Sequence, residues 1–152
     1  MYKIERVLSK DTDYIWELFE SEIKKTFPDT LTLEEFRQIG RFWSCYVCFK
    51  DGTPIGLAFV SKFGGRVASF HPCMKPIYAR RLIELSGSIL TRIGQLEGLD
   101  YILVHIPKNH KIEWIVMKSG FEFCGCVPVD SGGLVQDLTV FKKKIERSDD
   151  NG

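Results

Sequence analysis

Ile106-Pro-Lys-Asn109-His-Lys-Ile-Glu-Trp-Ile-Val-Met-Lys-Ser-Gly120-Phe121 is the stretch from which the rest of the chain is read. An apolar strand runs into Pro107, which has no amide to extend a ladder. Asn109 is a residue type that caps a helix start, and Gly120 one that ends a helix in the left-handed region. Phe121 opens a new apolar segment directly afterwards. The spacing predicts a strand over 101–106, a short helix over 109–119, and a strand from 121.

Outward from that unit the signals alternate cleanly. Tyr2 to Leu8 reads as a strand, with Ile4 and Leu8 on one face. Asp11 or Thr12 caps a helix to about Thr26, with Ile15, Leu18, Phe19 and Ile23 at helical spacing, and Phe27-Pro28-Asp29 breaks it. Thr32-Leu-Glu-Glu35 is a capping box that opens a second helix burying Phe36 and Ile39. Strands over 45–50 and 54–63 flank Asp51-Gly52, a hairpin-turn pair. Gly64-Gly65 turns into a strand over 66–70. His71 to Pro76 then reads as a loop into a long helix from Ile77 to Gly94, with Leu82, Leu85, Ile89 and Ile93 as its apolar stripe. Strands over 121–127 and 134–142, with Gly132-Gly133 between them, close the order. The pattern by itself specifies a mixed α+β chain of one domain.

Composition bounds the partners. The 152 residues suffice for one buried core. Basic and acidic side chains balance to a formal charge of +1, which gives no support for broad nucleic-acid binding. No apolar run is long enough to cross a bilayer, and Met1-Tyr-Lys-Ile-Glu5 is not a secretory signal. Five cysteines in a chain of this size do not suggest a disulfide framework. A reducing cytoplasm is the expected compartment.

The 106–121 stretch resembles the last strand-helix-strand unit of the GCN5-related N-acetyltransferases (the GNAT fold). Asn109 stands at that family's helix-start asparagine and Gly120-Phe121 at its Gly-Phe pair. The order of elements follows the family over essentially the whole chain. The resemblance implies a single GNAT-like domain over 1–145, a mixed, mostly antiparallel sheet flanked by helices, and a charged tail over 146–152. It also implies acetyl-CoA as cofactor, held where the strand over 66–70 splays from the strand over 101–106.

In that family the cofactor diphosphate sits on a glycine-rich loop at the start of the long helix, because free amides and the helix dipole attract an anion. Here the stretch is Lys75-Pro76-Ile77-Tyr78-Ala79-Arg80-Arg81, without glycine. Two readings stay open: Lys75, Arg80 and Arg81 form a replacement phosphate site, or they are a solvated basic turn. The resemblance assigns cofactor contacts to Phe70, His71, Cys73, Tyr78, Ala79, Arg80, Arg81 and Asn109. The family's thiolate-protonating tyrosine falls at Val116, which cannot donate a proton; Tyr78 is the alternative acid. His71 is the candidate base, since imidazole titrates in the range that amine deprotonation needs; its bland alternative is a strand-end histidine capping a backbone group. His105, in an apolar strand, reads as a hydrogen-bonded sheet residue, and His110 as an exposed helix-start residue. Glu113, Glu122 and Asp137 are the acids near the implied site.

Cys45-x-x-Cys48 and Cys124-x-Cys126 have metal-ligand flavour, but residues three apart on a strand face opposite sides. Small buried strand residues are the expected role, and no metal site is assigned. Cys73, before the long helix, is a weak candidate nucleophile. Trp16, Trp43 and Trp114 read as core packing, and Lys142-Lys-Lys144 as a sheet edge blunted by lysines.

Two function classes follow. One is an acyl-CoA-dependent N-acetyltransferase acting on an amine-bearing small molecule or protein. The other is a non-catalytic GNAT-fold protein. His71-Pro72 with its glycine-poor loop, Pro107-Lys-Asn109 and the Val135–Phe141 strand resemble small head-assembly or DNA-transfer accessory proteins of short-tailed phages. That resemblance implies a phage or host protein as partner, in the host cytoplasm or the virion.

Overall fold

The hairpin turn shows how local chemistry sets this architecture. Asp51 and Gly52 both adopt positive φ (48° and 81°), the pair of conformations a two-residue turn needs to match strand twist. They join β2 (Ser44–Lys50) to β3 (Thr53–Gly64), which pair antiparallel, with β1 (Tyr2–Arg6) on the far side of β2. In this computed structural model residues 1–26, 30–108, 112–131 and 133–147 are described. The expected helix break at 27–29, Asn109, His110, Gly132 and the tail beyond 147 lie outside them.

The remaining elements are α1 (Thr12–Thr26), α2 (Leu33–Phe42), β4 (Val67–Met74), α3 (Leu82–Leu96), β5 (Tyr101–Pro107), α4 (Glu113–Lys118), β6 (Glu122–Ser131) and β7 (Leu134–Lys144). The seven strands follow the order β1-β2-β3-β4-β5-β7-β6. Four of the described pairings are antiparallel; β4 and β5 pair in parallel, from Val67 opposite Tyr101 to Ser69 opposite Leu103. This is an α+β fold with a mixed, mostly antiparallel sheet, as the family resemblance implied. Among the described residues no helix is long and apolar enough to cross a membrane.

The chain divides into two units, Met1–Ser61 with Phe70–Arg80, and Lys62–Ser69 with Arg81–Gly152. In the first, Ile15, Trp16, Phe19 and Ile23 of α1 pack with Phe36 of α2 and with Val47, Leu57, Phe59 and Cys73 of the strands. The capping box at Thr32 is complete: its Oγ1 accepts from the Glu35 amide at 3.2 Å, and its own amide donates to the Glu35 carboxylate at 2.7 Å. In the second unit Leu90, Ile93, Leu99, Ile102, Phe121, Phe141 and Ile145 are buried. Gly120 ends α4 at φ 88°.

Several expectations are corrected. The strand expected to stop at Phe70 runs on to Met74, through Pro72. The helix expected from Ile77 begins as a 3-10 turn over Pro76–Arg81, and α3 itself starts at Leu82. The first strand ends at Arg6, and Leu8 is exposed ahead of a 3-10 turn at Ser9–Asp11. Lys142 to Lys144 are not on an edge, since β7 lies between β5 and β6. Trp114 is exposed rather than core.

Candidate functional site

In the first unit β4 carries three of the residues singled out from sequence. Phe70 is buried, His71 half-buried, and Cys73 is 2% exposed within the core around α1. The Cys73 thiol is therefore packing material, which leaves no room for it as a nucleophile. The Lys75 amide donates to the Ile55 carbonyl at 3.1 Å, so the two-residue ladder period turns the His71 and Cys73 amides toward β3. Phe70 is the named position whose amide that period turns the other way.

The His71 imidazole lies flat on the Trp43 indole, ring centroids 5.0 Å apart and planes 10° from parallel. Trp43 follows α2 directly and is also 6.5 Å from Phe59, which meets Phe36 edge-on at 5.9 Å; Phe36 meets Trp16 at 5.2 Å. His71 is thus the polar end of a row of four aromatic rings reaching from α1. A histidine held this way has a defined ring plane, as a proton carrier needs. Nothing local in the sequence ties position 43 to position 71; the contact exists through tertiary packing alone.

Tyr78 sits in the 3-10 turn, its amide bonded to the Lys75 carbonyl at 2.9 Å. The Lys50 ammonium stands over the Tyr78 ring at 6.0 Å, and Lys75 places its own ammonium over Phe19 at 5.2 Å. Lys75 therefore already has an aromatic face to answer its charge. Ala79 and Arg80 belong to the same turn; their side chains are outside the described set, as are Asn109 and His110.

Arg81 belongs to the second unit, where it occupies the N-cap of α3 and supplies no capping side-chain hydrogen bond. In this unit Ser69 Oγ and His105 Nδ1 lie 3.3 Å apart, with Phe63 edge-on to the imidazole. Burial holds the His105 ring below the ordinary histidine range, favouring the neutral form. Of the acids, Glu113 accepts from Thr139 Oγ1 at 3.0 Å, while Glu122 and Asp137 are exposed. Val116, at the position of the family's acid, is half-buried, and its carbonyl accepts from the Ser119 and Phe121 amides.

The cysteines divide by exposure. Burial, and then the neighbouring Cys73, raises the Cys45 thiol far above its ordinary range, and burial pushes Cys48 up to about 11. Both stay protonated and unreactive at neutral pH. Cys124 and Cys126 are exposed, Cys124 at a bulge in β6 and Cys126 just past it. Among the described residues no group of three or more potential ligands could hold a metal ion.

No protein-family model matches this sequence, and no curated protein does. The fold does match solved structures. An N-acetyltransferase from Staphylococcus aureus Mu50 superposes with a TM-score of 0.76 at 14% identity, over 95% of this chain and 97% of that one. A spermidine N-acetyltransferase SpeG chimera from Vibrio cholerae and hSSAT gives 0.73 at 15%, over 94% and 95%. The acetyltransferase yncA from Salmonella typhimurium, solved with its cofactor acetyl-CoA, gives 0.67 at 15%, over 97% and 96%. At these identities the likeness establishes the fold, which is the GNAT fold.

Proposed function

We propose that this chain is an acyl-CoA-dependent N-acetyltransferase that uses acetyl-CoA and acts on an amine-bearing small molecule or protein. One observation carries the reading. β4 and β5 pair in parallel, α3 lies between them in the chain, and no side-chain hydrogen bond caps the α3 start. A crossover of this kind leads the helix start back to the carboxyl ends of its strands. Under this reading the amides at that start are offered to an anion, in competition with the carbonyls of the 3-10 turn that runs directly into α3.

The residues present suit a diphosphate in charge and resist it in shape. Arg80 and Arg81 bring two cations to the helix start, and the 3-10 turn holds no acid. Every residue of 75–81 carries a Cβ, so a phosphate meets side chains before backbone. Bound there, acetyl-CoA would supply an acyl group activated as a thioester. Under this reading the Phe70 amide, the α3 start, Arg80, Arg81 and Asn109 hold and orient it. His71, its ring plane fixed by Trp43, takes the proton that the acceptor amine sheds. Tyr78 offers its hydroxyl proton to the departing sulfur, with solvent as the alternative donor.

The test is acetyl transfer to a panel of amines, scored by release of free thiol and by product mass. The expected result is turnover of at least one amine, lost in His71→Ala with acetyl-CoA binding retained. Bound acetyl-CoA with no acetylated product from any amine would contradict it.

A second reading has its own support. Val116 in place of a proton donor, and the absence of glycine over 75–81, favour a GNAT-fold protein that no longer catalyses. Such a protein would act through contacts with phage or host proteins, in head assembly or DNA transfer. Fold alone does not separate the two.

A further inference from the structure

The first unit holds a second concave feature, of about 260 Å³, between the 3-10 turn at Ser9–Asp11, α2 and the start of β2. Its floor is apolar and buried: Ile15, Phe36 and Phe59, with Trp43 and Cys45 half-buried beside them. Around the floor the lining is mixed, with Arg6, Ser9, Thr12 and Ser44 beside half-buried Val7 and exposed Leu8. Among the described residues Arg6 is the one charged side chain of the lining, and none of them is a carboxylate. Among the described residues Arg6 has no carboxylate partner; its guanidinium donates to Ser44 Oγ at 3.4 Å.

Gly40 adds an independent observation. A glycine inside a helix is less stable than alanine there, because of backbone entropy. Gly40 has no compensating close approach, since a Cβ built on it meets nothing within 4 Å. It lines the cavity, and a Cβ added there has open space around it.

We propose that this cavity binds a small molecule with an apolar, aromatic-sized body and a single carboxylate, the body on the Phe36-Trp43-Phe59 floor and the carboxylate on Arg6. The size follows from volume: at about 30 Å³ of liquid per water, the space equals about nine waters, a metabolite of roughly ten heavy atoms. The charge follows from the guanidinium, whose planar donor fork suits a carboxylate. A polyamine is excluded by the same lining, which has no acid to hold a cation. The inference needs neither the α3 start nor His71 itself, although its floor shares Trp43 with the His71 stack.

The test is calorimetry on the full chain with phenylacetate, phenylacetamide and phenethylamine as probes. Phenylacetate is expected to bind, phenylacetamide about tenfold more weakly, and phenethylamine not measurably. Arg6→Gln, an exposed change, is expected to erase the difference between acid and amide. Gly40→Leu is expected to weaken phenylacetate at least tenfold while melting no lower than the parent chain. Equal binding of acid and amide by the parent chain would overturn the proposal. So would no phenylacetate binding at millimolar concentration, or binding unchanged by both substitutions.

Discussion

The imidazole of His71 and the indole of Trp43 form a parallel stack with centroids 5.0 Å apart, joining β4 to the residue that follows α2. Stacked aromatic pairs are worth about 0.5–1.5 kcal/mol beyond the area they bury. A double-mutant cycle of Trp43→Ala and His71→Ala, read from urea unfolding, is expected to give a coupling in that range. Additive effects would mean the stack contributes nothing, and His71 would then lack a fixed ring plane.

His105 makes stability depend on pH near neutrality. Burial lowers its folded-state pKa below the ordinary value of 6.5, so the unfolded chain takes up its proton first. This contribution is fully present above the unfolded pKa and is lost as pH falls through it toward the folded value. Urea midpoints are expected to fall as pH drops below about 6.5. The fall should be smaller in His105→Gln; an equal fall would assign the dependence to other groups.

Gly94 of α3 is a packing glycine, unlike Gly40. A Cβ there lies 2.7 to 2.9 Å from three side-chain atoms of Ile145, itself 3% exposed. Gly94→Ala is expected to cost about 1–3 kcal/mol by overpacking. Ile145→Ala added to it should recover part of that loss, so the double mutant is more stable than the sum of the two single changes predicts. Thermal melts of the three variants check this.

Lys143 closes α4 from a neighbouring strand. Its ammonium donates to the Ser119 carbonyl at 2.9 Å and lies 5.8 Å from the Phe121 ring. A cation at a helix C-terminus also answers the dipole. Lys143→Met keeps the stem but removes hydrogen bond and charge, at an expected cost of about 0.5–1.5 kcal/mol. Hydrogen exchange at the Ser119, Gly120 and Phe121 amides should accelerate; unchanged protection there would refute the capping role.

What the sequence made legible was local chemistry. The Thr32–Glu35 box, the Asp51-Gly52 turn and the Gly120 helix end each require particular residues at fixed spacing, and all three occur as expected. The resemblance at Asn109 and Gly120-Phe121 brought the fold within reach, though Asn109 itself is outside the described residues. Non-local relations were hidden. Pro72 reads as a strand breaker, yet it sits inside β4, a position open to proline only where no ladder hydrogen bond needs its nitrogen. The Lys142–Lys144 run is typical of an edge, but only the strand order shows β6 outside it. Trp43 beside His71 and Ser69 beside His105 are contacts 28 and 36 residues apart in sequence. No spacing rule reaches that far.

The central claim is that the α3 start, although it has no glycine, still holds an acyl-CoA diphosphate. Calorimetric titration with acetyl-CoA of the parent chain and of the double charge reversal Arg80→Glu, Arg81→Glu tests it most directly. Micromolar binding by the parent, weakened at least tenfold by the reversal, is the predicted result. No binding at millimolar acetyl-CoA, or binding indifferent to the reversal, would contradict it.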